Sequence, residues 1–148
     1  MSPTNLWKET PLIFSESLSS TLDASVYLKL EVRDVPSISL TRILRRCQNL
    51  HPSHSFKYRG ISHFIQQAKN KHGASLHAII ASGGNAGLAA ACAARDLGVR
   101  CTVYLPKGAA EPTLRFLKQQ NACVVIAGEI YSDALAVAKQ ALKRNEDA

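Results

Sequence analysis

The period of apolar positions changes along this chain. Residues 26–31 (VYLKLE) alternate apolar and polar, as a strand with one buried face does. Over residues 58–71 the period becomes helical, with Ile61, Phe64, Ile65 and Ala68 spaced for one face. Residues 76–81 (LHAIIA), 100–105 (RCTVYL) and 122–127 (ACVVIA) are short apolar or β-branched runs that predict strands. Between them, residues 88–97 read as a small-residue helix stopped by Gly98. Residues 111–120 read as a helix with Pro112 in its first turn, and residues 130–144 as one with Leu135, Ala138 and Leu142 on a single face. Strands alternating with helices of about ten residues or more predict βαβ units. The expected class is therefore α/β, a parallel sheet flanked by helices and buried on both faces.

Composition agrees with a folded domain. Of 148 residues, 46% are hydrophobic and 20% charged, close to globular averages. The formal charge of +7 raises the question of nucleic acid. Four of the 18 basic residues, Arg33, Arg42, Arg45 and Arg46, fall within residues 32–48, with Asp34 as the sole acid there. Outside that stretch 14 basic and 10 acidic residues remain (18 − 4 and 11 − 1), dispersed and without aromatic interleaving. A solvated surface is expected, with no nucleic-acid partner. No apolar run approaches the roughly 20 residues of a membrane span, so no membrane partner is expected. The start of the chain has no cationic stretch leading into an apolar one, and reads as cytoplasmic rather than secretory. Cys47, Cys92, Cys101 and Cys123 form no C-x-x-C pair and have no histidine at zinc spacing, so free thiols are expected.

Two segments carry candidate chemistry. In residues 55–60 (SFKYRG), Lys57 lies between aromatic residues at a helix start. Partial desolvation and the positive end of the helix dipole would favour its neutral amine, which a carbonyl compound needs. The plainer alternative is a solvated lysine. Residues 82–87 (SGGNAG) lie between a strand and a helix. Glycines there let the backbone approach a ligand, and free helix N–H groups suit a carboxylate or phosphate. Ser82 and Asn85 add side-chain donors; an ordinary turn with a capping asparagine is the alternative. The glycine spacing matches neither a dinucleotide fingerprint nor a Walker A loop. His51 and His54 have H-x-x-H spacing without further ligands, so no metal is expected. Lys107 and Glu111 read as surface residues, and the G-x-S-x-G element of acyl hydrolases is absent.

SFKYRG followed about 25 residues later by SGGNAG resembles the fold-type-II pyridoxal-phosphate enzymes, the tryptophan synthase β-like architecture. Within them the chain is most similar to the serine/threonine dehydratases (L-serine ammonia-lyases). Thr10-Pro11-Leu12, VYLKLE, HPSHSFKYRG, IIASGGNAGLAAACAARDLG and CTVYLP occur in that family's order. The resemblance implies pyridoxal 5'-phosphate as cofactor, held by Lys57, with Phe56 packed on its ring and Asn85 bonded to its ring hydroxyl. It implies that Ser82, Gly83, Gly84, Asn85 and Ala86 receive the substrate carboxylate. The implied reaction is β-elimination from L-serine or L-threonine, a small amino-acid substrate, to pyruvate or 2-oxobutyrate and ammonia. A β-replacement enzyme or a racemase would share these groups.

Two departures qualify the resemblance. The chain corresponds to an N-terminal half of the family's length, and no glycine-rich phosphate loop follows residue 128. It is expected to be inactive alone, or to act as a non-catalytic remnant, and to expose interface suited to a homodimer or a full-length homologue. The expected organisation is residues 1–50, part of the large cofactor domain, then residues 51–148, the lysine segment and small α/β domain. Within the first part, residues 32–48 break the family's pattern, and joining Glu31 to Asn49 restores it. Val-Arg at the start can be encoded GTA-AGA and Cys-Gln at the end can close on CAG, the letters of intron boundaries. The segment reads as an insertion or a translated intron.

Overall fold

The computed structural model describes residues 5–29, 32–33, 48–49 and 51–146. It opens with a small unit: β1 (Leu12–Phe14), α1 (Glu16–Leu22) and β2 (Tyr27–Lys29). β1 and β2 pair antiparallel, with Ile13 opposite Leu28. The Ser15 hydroxyl caps α1 by accepting from the Leu18 N–H at 3.4 Å, and Asp23 closes it in the left-handed region. Both strands are exposed along their whole length. Of the face that alternation in residues 26–31 predicts to be buried, Val26 is half-buried and Leu28 is exposed, and Leu30 lies outside the described residues.

Two-residue strands β3 (Val32–Arg33) and β4 (Gln48–Asn49) pair antiparallel, Val32 opposite Asn49. Arg42, Arg45, Arg46 and Cys47 lie outside the described residues.

The remainder is the expected α/β unit. α2 (Lys57–His72) runs through a short 3-10 turn into β5 (His77–Ala81). Then follow α3 (Asn85–Leu97), β6 (Arg100–Leu105), α4 (Glu111–Gln119), β7 (Cys123–Ile126) and α5 (Tyr131–Glu146). β5, β6 and β7 are parallel in that order, with Ile79 opposite Thr102 and Val103 opposite Val124. β6 is central and buried from Cys101 to Leu105. β5 is an edge strand, half-buried throughout, so burial on both faces holds for the middle strand only.

Alternation along the strands divides the core in two. Cys101, Val103 and Leu105 face α2, α3 and α4, together with Ala78 and Ile80; Tyr104, Ile79 and Ala81 face Ala134 and Ala138 of α5. The six residues from Ala89 to Ala94 in α3 are all buried. Their small side chains let α3 lie close between α2 and the sheet. Gly98 then stops the helix at φ 63°, its N–H donating to the Ala94 and Arg95 carbonyls. Polar bonds fix α2 onto α3: the Tyr58 hydroxyl donates to Asp96 Oδ2 at 2.7 Å, and Lys69 Nζ donates to the Leu97 carbonyl. Burial first, then the Asp96 carboxylate, pushes the Tyr58 phenol up, so it stays a donor. No helix among the described residues is long and apolar enough to cross a membrane.

Candidate active site

Lys57 is the first residue of α2, after Phe56 in the cap position. The preceding turn is unusually buried: His51, Ser53 and Ser55 are all interior, and His51 stacks on Tyr58 with ring centroids 5.5 Å apart. His54 takes a left-handed φ of 55° and meets Phe116 edge-on at 5.9 Å. This turn serves as a base under α2. Its histidines point to packing, and among the described residues no group of three or more His, Cys, Asp or Glu could hold a metal ion.

Lys57 itself is exposed. The aromatic shielding its neighbours suggest is absent: Tyr58 turns inward to Asp96, while Phe56 is 61% exposed. The lysine amine is therefore open to an incoming aldehyde rather than enclosed.

The second segment leaves β5. Its Ser82 N–H donates to the Tyr104 carbonyl at 3.2 Å, extending the sheet by one step. Gly84 caps α3 in an extended conformation, without a side-chain cap bond. The first-turn amides of α3 have no partner within the helix and face outward beyond the strand ends, where α/β folds place ligands. One glycine is dictated by close approach. A Cβ on Gly87 would lie 2.1 Å from the Ser82 carbonyl oxygen, so only glycine lets the loop fold back on the first turn.

The two segments meet. Phe56, Lys57, Arg59, Gly60, Ile61 and Ala86 line an open recess of about 390 Å³ between the starts of α2 and α3. Lys57, Phe56 and Ala86 are thus brought together as the spacing of the two motifs suggests. Ser82, Gly83, Gly84 and Asn85 lie on the same turn but do not line the recess; Asn85 is exposed at the first position of α3. Arg59, Gly60 and Ile61 were not among the site residues expected from the sequence. Arg59 ties the N-terminal segment to the site: its Nη2 donates to Thr10 Oγ1 at 2.8 Å and its guanidinium lies 5.0 Å over the Trp7 ring. Lys107 and Glu111 lie at the surface in ion pairs with Glu129 and Arg115. Cys92 and Cys101 are buried, and burial pushes each thiol up to about 11, leaving them protonated and unreactive.

An exposed amine facing a helix start suits a cofactor that has an aldehyde to bind and an anionic substrate to accept. Comparison with known proteins agrees. The sequence model of the family described as "Pyridoxal-phosphate dependent enzyme" matches residues 36–148. Human "Serine dehydratase-like" is 36% identical over 136 residues, covering 92% of this chain and 36% of that protein. Human "L-serine dehydratase/L-threonine deaminase" is 37% identical over 145 residues, covering 98% and 38%. The solved fungal L-serine ammonia-lyase from Rhizomucor miehei superposes with a TM-score of 0.72 at 28% identity, over 90% of this chain and 37% of that one. Maize serine racemase, at 18% identity and a TM-score of 0.71, shares the fold.

The chain belongs to the pyridoxal-phosphate dependent enzyme family. Its fold is the fold-type-II one, and its relatives at about 36% identity are serine dehydratases. It spans little more than a third of those relatives' length, less than the half expected.

Proposed function

We propose that this chain is the lysine-bearing part of a lyase that deaminates L-serine or L-threonine with pyridoxal 5'-phosphate. The carrying observation is the recess in which Lys57 of α2 meets Ala86 of the α3 start. The cofactor, when bound, withdraws electrons from the substrate Cα and so weakens its C–H bond. Lys57 holds the cofactor through its amine and, once displaced by the amino acid, accepts the α-proton. Phe56 would pack on the cofactor ring and Asn85 would bond its hydroxyl when the cofactor is bound. The turn from Ser82 to Ala86 receives the substrate carboxylate through backbone N–H groups and the Ser82 hydroxyl. Loss of the β-hydroxyl, then hydrolysis of the eliminated product, yields the 2-oxo acid and ammonia.

Residues 1–148 span little more than a third of the relatives' length, and turnover is expected to require the rest of the family's fold. A chimera joining residues 1–148 to the remainder of human L-serine dehydratase/L-threonine deaminase tests this. It should release pyruvate from L-serine, and its Lys57→Ala form should not. Turnover by the lysine-free form would contradict the assignment. A non-catalytic partner of a longer homologue is the second reading; co-purification without turnover in the chimera would support it. Buried free thiols accord with a cytoplasmic setting.

We read residues 32–48 as an insertion or a translated intron, although the family match begins at residue 36. Joining Glu31 to Asn49 restores the family's order of motifs, which supports this reading. A mature transcript retaining those codons would refute it.

A further inference from the structure

α2 starts without a side-chain cap. Phe56, in the cap position, is already helical at φ −61° and ψ −20°. The first amides close on near carbonyls: the Tyr58 N–H donates to Ser55 at 3.2 Å and the Arg59 N–H to Phe56 at 3.1 Å. A helix end held this way opens more readily than a capped one. Lys57 is the first residue of that end, so its position depends on what grips its neighbours. Tyr58 grips α3, through its hydroxyl bond to Asp96. Arg59 reaches instead to the segment ahead of β1.

Two contacts of different kinds hold Arg59 there. Its Nη2 donates to Thr10 Oγ1 at 2.8 Å, and its guanidinium lies 5.0 Å over the Trp7 ring. Both partners are themselves fixed. Thr10 is buried, and its carbonyl accepts from Lys29 Nζ of β2. Trp7 packs on the main core together with Leu6. A planar guanidinium donates in its plane while its face rests on a ring; the compact ammonium of lysine does not combine the two. The same side chain lines the recess with Lys57 and Ala86. The latch is therefore part of the recess wall, two residues from the lysine.

We propose that Arg59 is a positioning residue for Lys57. Through Thr10 and Trp7 it holds the uncapped first turn of α2, and with it the lysine amine, at the recess. The inference rests on the cofactor role proposed for Lys57.

Two measurements test it, with Thr10→Val, which removes the acceptor and keeps the shape, and with Arg59→Lys. The first is hydrogen exchange on residues 1–148. Both variants should speed exchange of the residue 58 and 59 amides about five-fold or more, while the β6 amides keep their protection. Thr10→Ser, which retains the hydroxyl, should restore slow exchange. The double variant should add little to either single one, since both break the same contact. The second measurement uses the chimera with the remainder of human L-serine dehydratase/L-threonine deaminase. The pyridoxal 5'-phosphate concentration for half-maximal borohydride labelling of Lys57 should rise about ten-fold in each variant. KM for L-serine should stay within about two-fold. If one variant fails to fold, the other decides. Unchanged exchange at residues 58 and 59, or faster exchange everywhere together with lower melting, would overturn the proposal, the latter leaving Arg59 a general staple. A raised KM with unchanged labelling would also overturn it, making Arg59 a substrate ligand. Normal labelling in every variant would overturn the positioning role alone, whereas no Lys57 label in the unaltered chimera would overturn the cofactor role with it.

Discussion

Two of the three sheets among the described residues make opposite uses of similar side chains. β6 (RCTVYL) is buried from its second residue onward, between α3 and α4 on one side and α5 on the other. β1 (LIF) is at least as apolar, yet Leu12, Ile13 and Phe14 are all exposed, Phe14 by half. The difference is not in the residues but in what lies over them. Helices supplied by adjacent sequence cover β6, whereas among the described residues nothing covers β1. Hydrophobic stabilisation follows the area removed from water, so equal hydrophobicity gives unequal energy in the two places.

Truncation should expose this contrast most strongly. Leu117→Ala, at a fully buried site in α4, should cost about 2–5 kcal/mol in denaturant unfolding. Phe14→Ala should cost under ~0.5 kcal/mol. Similar losses at both positions would mean that β1 is covered after all. Gly87→Ala probes the junction of the α/β unit with its ligand-facing turn. Its Cβ would meet the Ser82 carbonyl at 2.1 Å, so the backbone must shift, at about 1–3 kcal/mol. The same change at Gly60, where nothing lies within 4 Å, should be tolerated or mildly favourable in the same unfolding assay.

The smallest effect is one of pH. Burial, helped by Arg100, lowers the His77 pKa below the ordinary 6.5, and its Nε2 lies 2.8 Å from Thr102 Oγ1. The unfolded chain therefore binds a proton more readily than the native one. Stability from this source is complete above about pH 6.5 and declines as pH falls through that value. Unfolding midpoints between pH 8 and pH 5 should show the decline, and His77→Gln should flatten it.

Much of the α/β unit was legible in the sequence, because its strands and helices are set by local period. The helix predicted over residues 111–120 is found at Glu111–Gln119, and the strand over residues 100–105 at Arg100–Leu105. Gly98 stops α3 as its position suggested. β1 and α1 escaped periodicity, being three and seven residues long and lacking a buried stripe. Lys57 and the Ser82–Ala86 turn were legible as motifs, but their meeting across the recess depends on α2 packing against α3. Arg59 was missed because its partners Trp7 and Thr10 lie about 50 residues away, beyond any local pattern. The open state of Lys57 was misjudged for a related reason: Tyr58 follows Asp96, 38 residues on, and leaves its neighbour uncovered.

The central claim is that the Lys57 amine binds the cofactor aldehyde. The direct measurement is reduction with borohydride in the presence of pyridoxal 5'-phosphate, then peptide mass mapping, with the remainder of the family's fold supplied. The account predicts a single phosphopyridoxyl label on Lys57 that disappears in Lys57→Ala. A label on another lysine, or none, would contradict it.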